Sequence, residues 1–169
     1  MRVRNFCAGP AAIPDVVLEE VKSELLNWGN SGMSIMEMSH RSSIFEEVAV
    51  NAKKDFIDLL SVPNDYDVLF LQGGATHQFS MVPLNFLSKN ESADYLLSGT
   101  WSKLAISEAS KFSNINIVAS SEEDNFNHVP DFKSWNLDSQ AKYFHYAPNE
   151  TIQGVALHEL PDINTPIIA

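Results

Sequence analysis

The chain has 169 residues, of which 44% are hydrophobic and 20% charged, a composition typical of a globular protein with enough residues for one core. Its net charge of −11 at pH 7 argues against nucleic acid or an anionic membrane surface as a partner, because both require a basic face. The single cysteine, Cys7, excludes an internal disulfide and suits a reducing compartment. Since no segment has the apolar length of a signal peptide core or of a membrane span, we expect a cytoplasmic protein.

The N-terminal third of the chain predicts two helices. The first is indicated by apolar residues at helical spacing after Pro14, which are Val17, Val21, Leu25 and Trp28. The second is indicated by the stripe Ile44, Val48, Ala52, Phe56 and Leu59. Ser43 and Glu46 predict a capping box at the start of the second helix. A loop rich in Gly, Ser and Met, from Gly29 to Ser42, separates the two.

Strand and helix patterns alternate in the rest of the chain. Short apolar runs predict strands at Val68–Leu71, Tyr95–Leu97, Ile115–Val118 and Tyr143–Tyr146. Helical patterns predict one helix after Gly74 and a second from Trp101 to Phe112. This alternation is typical of βαβ units, so we expect an α/β fold with a largely parallel sheet.

The turn between the first predicted strand and its helix resembles a phosphate cradle. Gly73 and Gly74 allow a sharp turn, and the free N–H groups of the following helix favour an anion. Thr76 adds a hydroxyl donor. The spacing matches neither the P-loop nor the dinucleotide fingerprint, and such turns also use glycine for conformational reasons alone. The pattern therefore leaves both interpretations open.

Ligands of open α/β sheets collect at the carboxyl ends of the strands, so the loops after Leu71, Leu97 and Tyr146 should converge. Trp101 offers a flat ring on which an aromatic ligand can stack, and Thr151 offers a hydroxyl. The alternatives are a packing role for Trp101 and a turn or capping role for Thr151.

Arg41 and His40 lie together in the loop before the second helix. Arg41 is the only arginine outside the extreme N-terminus, so its position carries information about anion binding. On composition alone, the alternatives are a solvated surface charge for Arg41, which composition favours, and a hydrogen-bonded loop residue for His40. No group of His, Cys, Asp or Glu has a spacing that predicts a metal site.

Several segments, in order and spacing, resemble the phosphoserine aminotransferase family over essentially the whole chain. They are Gly9–Pro14, Met36–Arg41, Phe70–Phe79, Val82–Asn85, Ala93–Tyr95, Gly99–Ser102 and Tyr146–Gly154. The resemblance implies a class V aminotransferase of fold type I, a homodimer that uses pyridoxal 5′-phosphate (PLP). It implies amino transfer from glutamate to 3-phosphohydroxypyruvate, giving 2-oxoglutarate and O-phosphoserine in serine biosynthesis, and in many bacteria a role in pyridoxine biosynthesis.

The resemblance also implies roles for individual residues. Ala75 and Thr76 would hold the cofactor phosphate, Trp101 would stack on the pyridine ring, and Thr151 would contact the cofactor's 3-oxygen. Arg41, with His40 nearby, would bind an anionic group of the substrate. Some members carry arginine at the position of Thr76, and the contact of that arginine does not transfer to this chain.

The resemblance further implies that the chain corresponds to the N-terminal portion of the family. We expect an N-terminal arm at 1–15 and an incomplete PLP-binding large domain at 16–169. The family's cofactor-pairing aspartate and its cofactor-binding lysine have no counterpart here, so no catalytic residue is assigned and the chain as printed should be inactive. The alternatives are a non-catalytic remnant with a structural or interaction role, and a different module that binds a phosphate ligand.

Overall fold

A computed structural model of the protein describes residues 2–169, which fall into two compact units. One unit ends at Phe70, and the other runs from Leu71 to Ala169. The boundary expected between an arm at 1–15 and a domain at 16–169 stays a prediction. None of the helices in the described range combines the length and apolarity that a membrane crossing requires.

The unit that ends at Phe70 contains the two predicted helices, α1 (Asp15–Glu24) and α2 (Ser43–Leu60). Helix α1 is shorter than the apolar pattern predicts. Trp28 lies in a separate 3-10 turn, Trp28–Asn30, because Asn27 has non-helical φ and ψ angles and Gly29 has a positive φ of 52°. A second 3-10 turn, Ile35–Glu37, carries the reciprocal capping box between Ser34 and Glu37.

The predicted capping box at Ser43 and Glu46 is wrong, because the N-cap lies one residue earlier and no reciprocal box forms. Ser42 is the N-cap of α2, and its hydroxyl accepts a hydrogen bond from the Phe45 N–H. Ser42 has extended backbone angles, as an N-cap requires, whereas Ser43 is already the first helical residue. Glu46 remains in the first turn, where its charge complements the helix dipole.

The unit from Leu71 to Ala169 contains two long helices and six strands. The helices are α3 (Gly74–Phe86) and α4 (Thr100–Ala109). The strands are β1 (Ser92–Leu97), β2 (Asn114–Ser120), β3 (Phe144–His145), β4 (Asn149–Glu150), β5 (Val155–Ala156) and β6 (Ile167–Ile168). Strands β4 and β5 form a short antiparallel hairpin that the sequence analysis did not predict.

Four strands form the predicted parallel sheet, in the order β2-β1-β3-β6. In register, Ser92 pairs with Asn114, and Asp94 pairs with Phe144, which in turn pairs with Ile167. Strand β1 is therefore central, and the carboxyl ends of β1 and β3 lie at the same edge of the sheet. This edge holds the candidate site.

The sheet is covered on both faces. On one face, Ala93, Tyr95 and Tyr143 pack against α4, with partly buried side chains from α3 completing the cluster. On the other face, Leu96, Val118 and Phe144 pack under irregular segments that contribute Trp135, Leu157, Leu160 and Ile163. Burial on both faces explains why β1 is a continuous run of buried residues rather than an alternating pattern.

The predicted strand at Val68–Leu71 is wrong. Among residues 2–169 this segment has no partner in a β-ladder, and its backbone belongs to no regular element. Leu69, Phe70 and Leu71 are mostly exposed. A strand requires the backbone of a neighbour, which an apolar run by itself does not supply.

Candidate functional site

The loops after β1 and β3 meet at the carboxyl edge of the sheet. Trp101, the second residue of α4, donates a hydrogen bond from its indole Nε1 to the Thr151 hydroxyl oxygen at 2.8 Å. The two residues are 50 positions apart in sequence, so their contact is tertiary. The structure thus brings together two of the residues that the sequence singled out, while their roles stay predictions.

The first turn of α3 provides a second part of the site. Its N-cap, Gly73, has a φ of 98°, and a Cβ atom there would lie 2.3 Å from Nδ1 of His77. Glycine is therefore required at this position by both conformation and space. Because Gly73 has no side chain to cap the helix, the first N–H groups are left for another acceptor. Ala75 and Thr76 lie in this turn and are exposed.

A cavity of about 260 Å³ connects the start of α3 to the loop after β3. Ala75 and Gln78 line it from α3, and Ala147 and Pro148 line it from the loop that leads to Thr151. The cavity therefore joins two of the three predicted site segments, and the hydrogen bond from Trp101 to Thr151 links the third to the hairpin that follows Pro148. Each contributes a different chemical group: helix N–H donors, a hydroxyl and a flat indole ring.

His145 lies at the wall of the same cavity and was not assigned a role from the sequence. Its imidazole is 5% exposed and stacks on Tyr95, with ring centroids 4.6 Å apart. Its Nδ1 is buried and has no hydrogen-bond partner among the described residues. Burial lowers the pKa of His145 to about 4, so the ring is neutral at pH 7. Burial is a tertiary property, and no local pattern around His145 indicates it.

Glu150 is the other residue that sequence reasoning missed. Its side chain is fully buried, and its carboxylate accepts hydrogen bonds from the backbone N–H groups of Trp101 and Ser102, each at 2.8 Å. The start of α4 is thereby occupied by a carboxylate of the chain itself. The start of α3, in contrast, has no side-chain cap. Only the position of Glu150 next to Thr151 could have drawn attention to it.

Arg41 and His40 lie in the other unit, between the turn Ile35–Glu37 and α2. Both are exposed, and the Arg41 backbone N–H donates to the Ser39 hydroxyl at 3.2 Å. The Ser39 hydroxyl thus shapes the loop that carries Arg41.

Within residues 2–169, no three His, Cys, Asp or Glu side chains lie close enough together to hold a metal ion.

Comparisons with known proteins place the chain among aminotransferases. The family model "Aminotransferase class-V" matches residues 3–167. A phosphoserine aminotransferase of Acinetobacter baylyi is 48% identical over 170 residues, covering 100% of this chain and 47% of its own length. That of Pseudomonas putida is 50% identical over 160 residues, covering 95% of this chain and 44% of its own length.

Solved structures agree with these sequence relatives. A PLP-bound phosphoserine aminotransferase from Trichomonas vaginalis has a TM-score of 0.92 and 42% identity, covering 98% of this chain and 47% of its own. One from Bacillus circulans has a TM-score of 0.92 and 41% identity, covering 98% of this chain and 46% of its own. The α/β fold with a mainly parallel sheet, expected for fold type I, is confirmed. The chain spans about half the length of the curated relatives that it matches, and it belongs to the class-V aminotransferase family.

Proposed function

We propose that the protein forms the N-terminal portion of a PLP-dependent phosphoserine transaminase. The reaction transfers the amino group of glutamate to 3-phosphohydroxypyruvate, giving 2-oxoglutarate and O-phosphoserine. The observation that carries this proposal is the hydrogen bond between Trp101 and Thr151, taken together with the uncapped start of α3. It is supported by relatives at 48% and 50% identity that are named phosphoserine aminotransferases.

The residues of the site fit PLP, which is a flat ring with an oxygen substituent and a phosphate. Ala75 and Thr76 would bind the phosphate through the N–H groups of the first turn of α3, with the Thr76 hydroxyl as a further donor. Trp101 would stack on the ring. When bound, PLP supplies the electron sink that amino transfer requires.

Thr151 can contact the cofactor and Trp101 at the same time. Its oxygen accepts the hydrogen bond from the Trp101 indole, so its own hydroxyl hydrogen remains free to donate. We propose that it donates to the 3-oxygen of the cofactor. The same hydroxyl would then orient the ring and hold the indole beside it.

Arg41 and His40 would bind the anionic substrate. A guanidinium forms paired, charge-assisted hydrogen bonds with a carboxylate or a phosphate, which an ammonium cannot match in geometry. We propose that Arg41 pairs with glutamate or with the phosphorylated substrate, and that His40 assists. The proposal includes a cytoplasmic homodimer and, as a second pathway, pyridoxine biosynthesis.

The first test is a titration of the purified chain with PLP, in which fluorescence reports the fraction of protein with PLP bound. We expect saturable binding, and we expect Trp101→Ala to weaken it by about 1–2 kcal/mol because stacking and one hydrogen bond are lost. Trp101→Phe is the matched control: it keeps a flat ring and loses only the N–H, so its loss should be smaller. Equal affinity in the unmodified chain and Trp101→Ala would return Trp101 to a packing role.

The second test is a transaminase assay on the product of the complete gene, with glutamate and 3-phosphohydroxypyruvate. Formation of O-phosphoserine would support the proposal. PLP binding without turnover in that product would instead favour a non-catalytic role, and absence of PLP binding would contradict the proposal altogether.

A further inference from the structure

We propose that Glu150 is a positioning residue of this site, whose buried carboxylate fixes the start of α4 so that the Trp101 indole meets Thr151. The inference rests on the proposed function, because it concerns the two residues that would contact PLP. Glu150 itself would touch neither cofactor nor substrate. It acts through the backbone of Trp101.

The contacts of Glu150 are those of a helix cap supplied from a distant strand. Its two carboxylate oxygens each accept one backbone N–H, from Trp101 and Ser102, at 2.8 Å. These N–H groups have no partner within the helix, and the helix dipole favours a negative group beside them. Since the acceptor comes from β4 rather than from the preceding loop, the cap ties α4 to the hairpin.

The absence of a side chain at Gly99 makes room for this carboxylate. A Cβ atom at Gly99 would lie 2.4 Å from the Glu150 carboxyl carbon and 2.5 Å from one of its oxygens. The φ angle of Gly99 is 174°, an extended conformation that any residue adopts. Glycine is thus needed here for space and not for backbone conformation, and the space is filled by Glu150.

Neighbouring residues of the hairpin hold the same helix turn. Thr151 accepts a hydrogen bond from the Trp101 indole N–H. Glu150 therefore binds the backbone of Trp101, and Thr151 binds its side chain. Gln153 holds Thr100 twice, accepting from its N–H at 3.2 Å and donating to its hydroxyl at 2.7 Å. Both the backbone and the indole of Trp101 are therefore hydrogen-bonded to the hairpin.

Occupation of the start of α4 by Glu150 also bears on where an anion binds. Two helices begin at this edge of the sheet, and both would attract a phosphate. Glu150 takes the N–H groups of α4, whereas Gly73 leaves those of α3 unused. Glu150 therefore directs the phosphate to Ala75 and Thr76.

The test compares Glu150→Gln with the unmodified chain. The amide keeps the shape of the side chain but turns an NH₂ group towards one of the two backbone N–H groups. We expect the PLP dissociation constant to rise about tenfold, the effect of losing one charge-assisted hydrogen bond. Glu123→Gln, the same change at an exposed position, is the control and should leave the dissociation constant unchanged.

A second readout does not depend on the cofactor. The Trp101 indole N–H signal in a ¹H–¹⁵N spectrum, assigned by its loss in Trp101→Phe, reports the hydrogen bond to Thr151. We expect it to shift and to lose protection from solvent exchange in Glu150→Gln. If Glu150 were only a helix cap, the thermal stability would fall while this signal stayed in place, and that result would overturn the proposal.

Gly99→Ala gives an independent variant. The added methyl group displaces the carboxylate, so the same indole shift is expected. In a Glu150→Ala background the methyl group has nothing to displace, and Gly99→Ala should add no further change. Equal effects of Gly99→Ala in both backgrounds would contradict the role of Glu150. If the product of the complete gene bound no PLP, the proposed function would fail, and the indole signals would still decide whether Glu150 positions Trp101.

Discussion

The two units of the chain differ sharply in how they use apolar side chains. Every buried hydrophobic residue of the described chain lies in the unit from Leu71 to Ala169, where the sheet provides two covered faces. In the unit that ends at Phe70, neither α1 nor α2 has a buried residue, and Leu26 and Leu59 are more than four-fifths exposed. Helical periodicity thus predicts that a helix forms, but not that its apolar face is covered.

This difference places the candidate cofactor residues and the candidate substrate residues in different surroundings. Trp101 and Thr151 lie at the edge of a sheet that has a packed core. Hydrogen bonds join Trp101 to Glu150 and Thr151 of the hairpin. Arg41 and His40 are exposed residues in a unit without buried apolar side chains. Substitutions should therefore have much larger effects on stability in one unit than in the other.

The largest expected effect comes from one phenylalanine in each unit. Phe144 is fully buried, between Trp135 and Tyr146 with ring centroids 5.3 and 5.9 Å away, whereas Phe56 is 47% exposed. We expect Phe144→Ala to lower the free energy of unfolding by about 3–5 kcal/mol, because it leaves a cavity. Phe56→Ala should cost less than about 1.5 kcal/mol. Denaturant titrations measure both, and equal losses would contradict the contrast between the units.

A smaller effect should follow from the buried His145. Its pKa is lowered from 6.5 to about 4 in the folded protein, so the unfolded chain binds a proton that the folded chain excludes. The stabilisation is complete above pH 6.5 and is lost as the pH falls towards 4. Between pH 7 and pH 5 this group should reduce the free energy of unfolding by about 2 kcal/mol.

The control for this pH dependence is His145→Phe, which keeps an aromatic ring against Tyr95 but cannot be protonated. Denaturant titrations at pH 7 and pH 5 should show a smaller difference in this variant. An identical pH dependence in the unmodified chain and in His145→Phe would refute the assignment to His145.

The smallest effect concerns the unit without a core, where helix α2 depends on local interactions. Ser42→Ala removes the hydroxyl that caps the Phe45 N–H and should cost about 1 kcal/mol of stability. Ser43→Ala, one residue further on, should be neutral or slightly favourable because alanine is the better helix former. Circular dichroism during thermal unfolding distinguishes the two, and a larger loss in Ser43→Ala would place the cap where the sequence pattern predicted it.

The sequence predicted regular elements well where the pattern is local. Helices α2 and α4 and strands β1 and β2 lie close to their predicted ranges, because periodicity and short apolar runs are properties of neighbouring residues. Val68–Leu71 failed because strand formation depends on a partner, and in the described residues the segment has none. The hairpin of β4 and β5 was missed because Asn149–Glu150 contains no apolar residue that would indicate a strand.

The candidate site likewise contains residues that a local sequence pattern indicates and residues that only tertiary packing defines. Trp101 and Thr151 could be selected from the sequence, because both follow predicted strands of one parallel sheet and such strand ends share an edge. Glu150 and His145 could not, since a buried carboxylate between two helix N–H groups and a buried imidazole beside a cavity are results of packing. Residues that contact a ligand can leave a local pattern, while residues that support them often leave none.

The wholly parallel sheet has a consequence for how the protein reaches its structure. The central strand β1 pairs with β2 about 20 residues later and with β3 about 50 residues later, and no strand of this sheet pairs through a tight turn. Long loops must close before the hydrogen bonds of these ladders can form, which makes folding slow. During synthesis β1 leaves the ribosome well before β3, so the edge of β1 that pairs with β3 stays open in the nascent chain and is a point at which a chaperone would act.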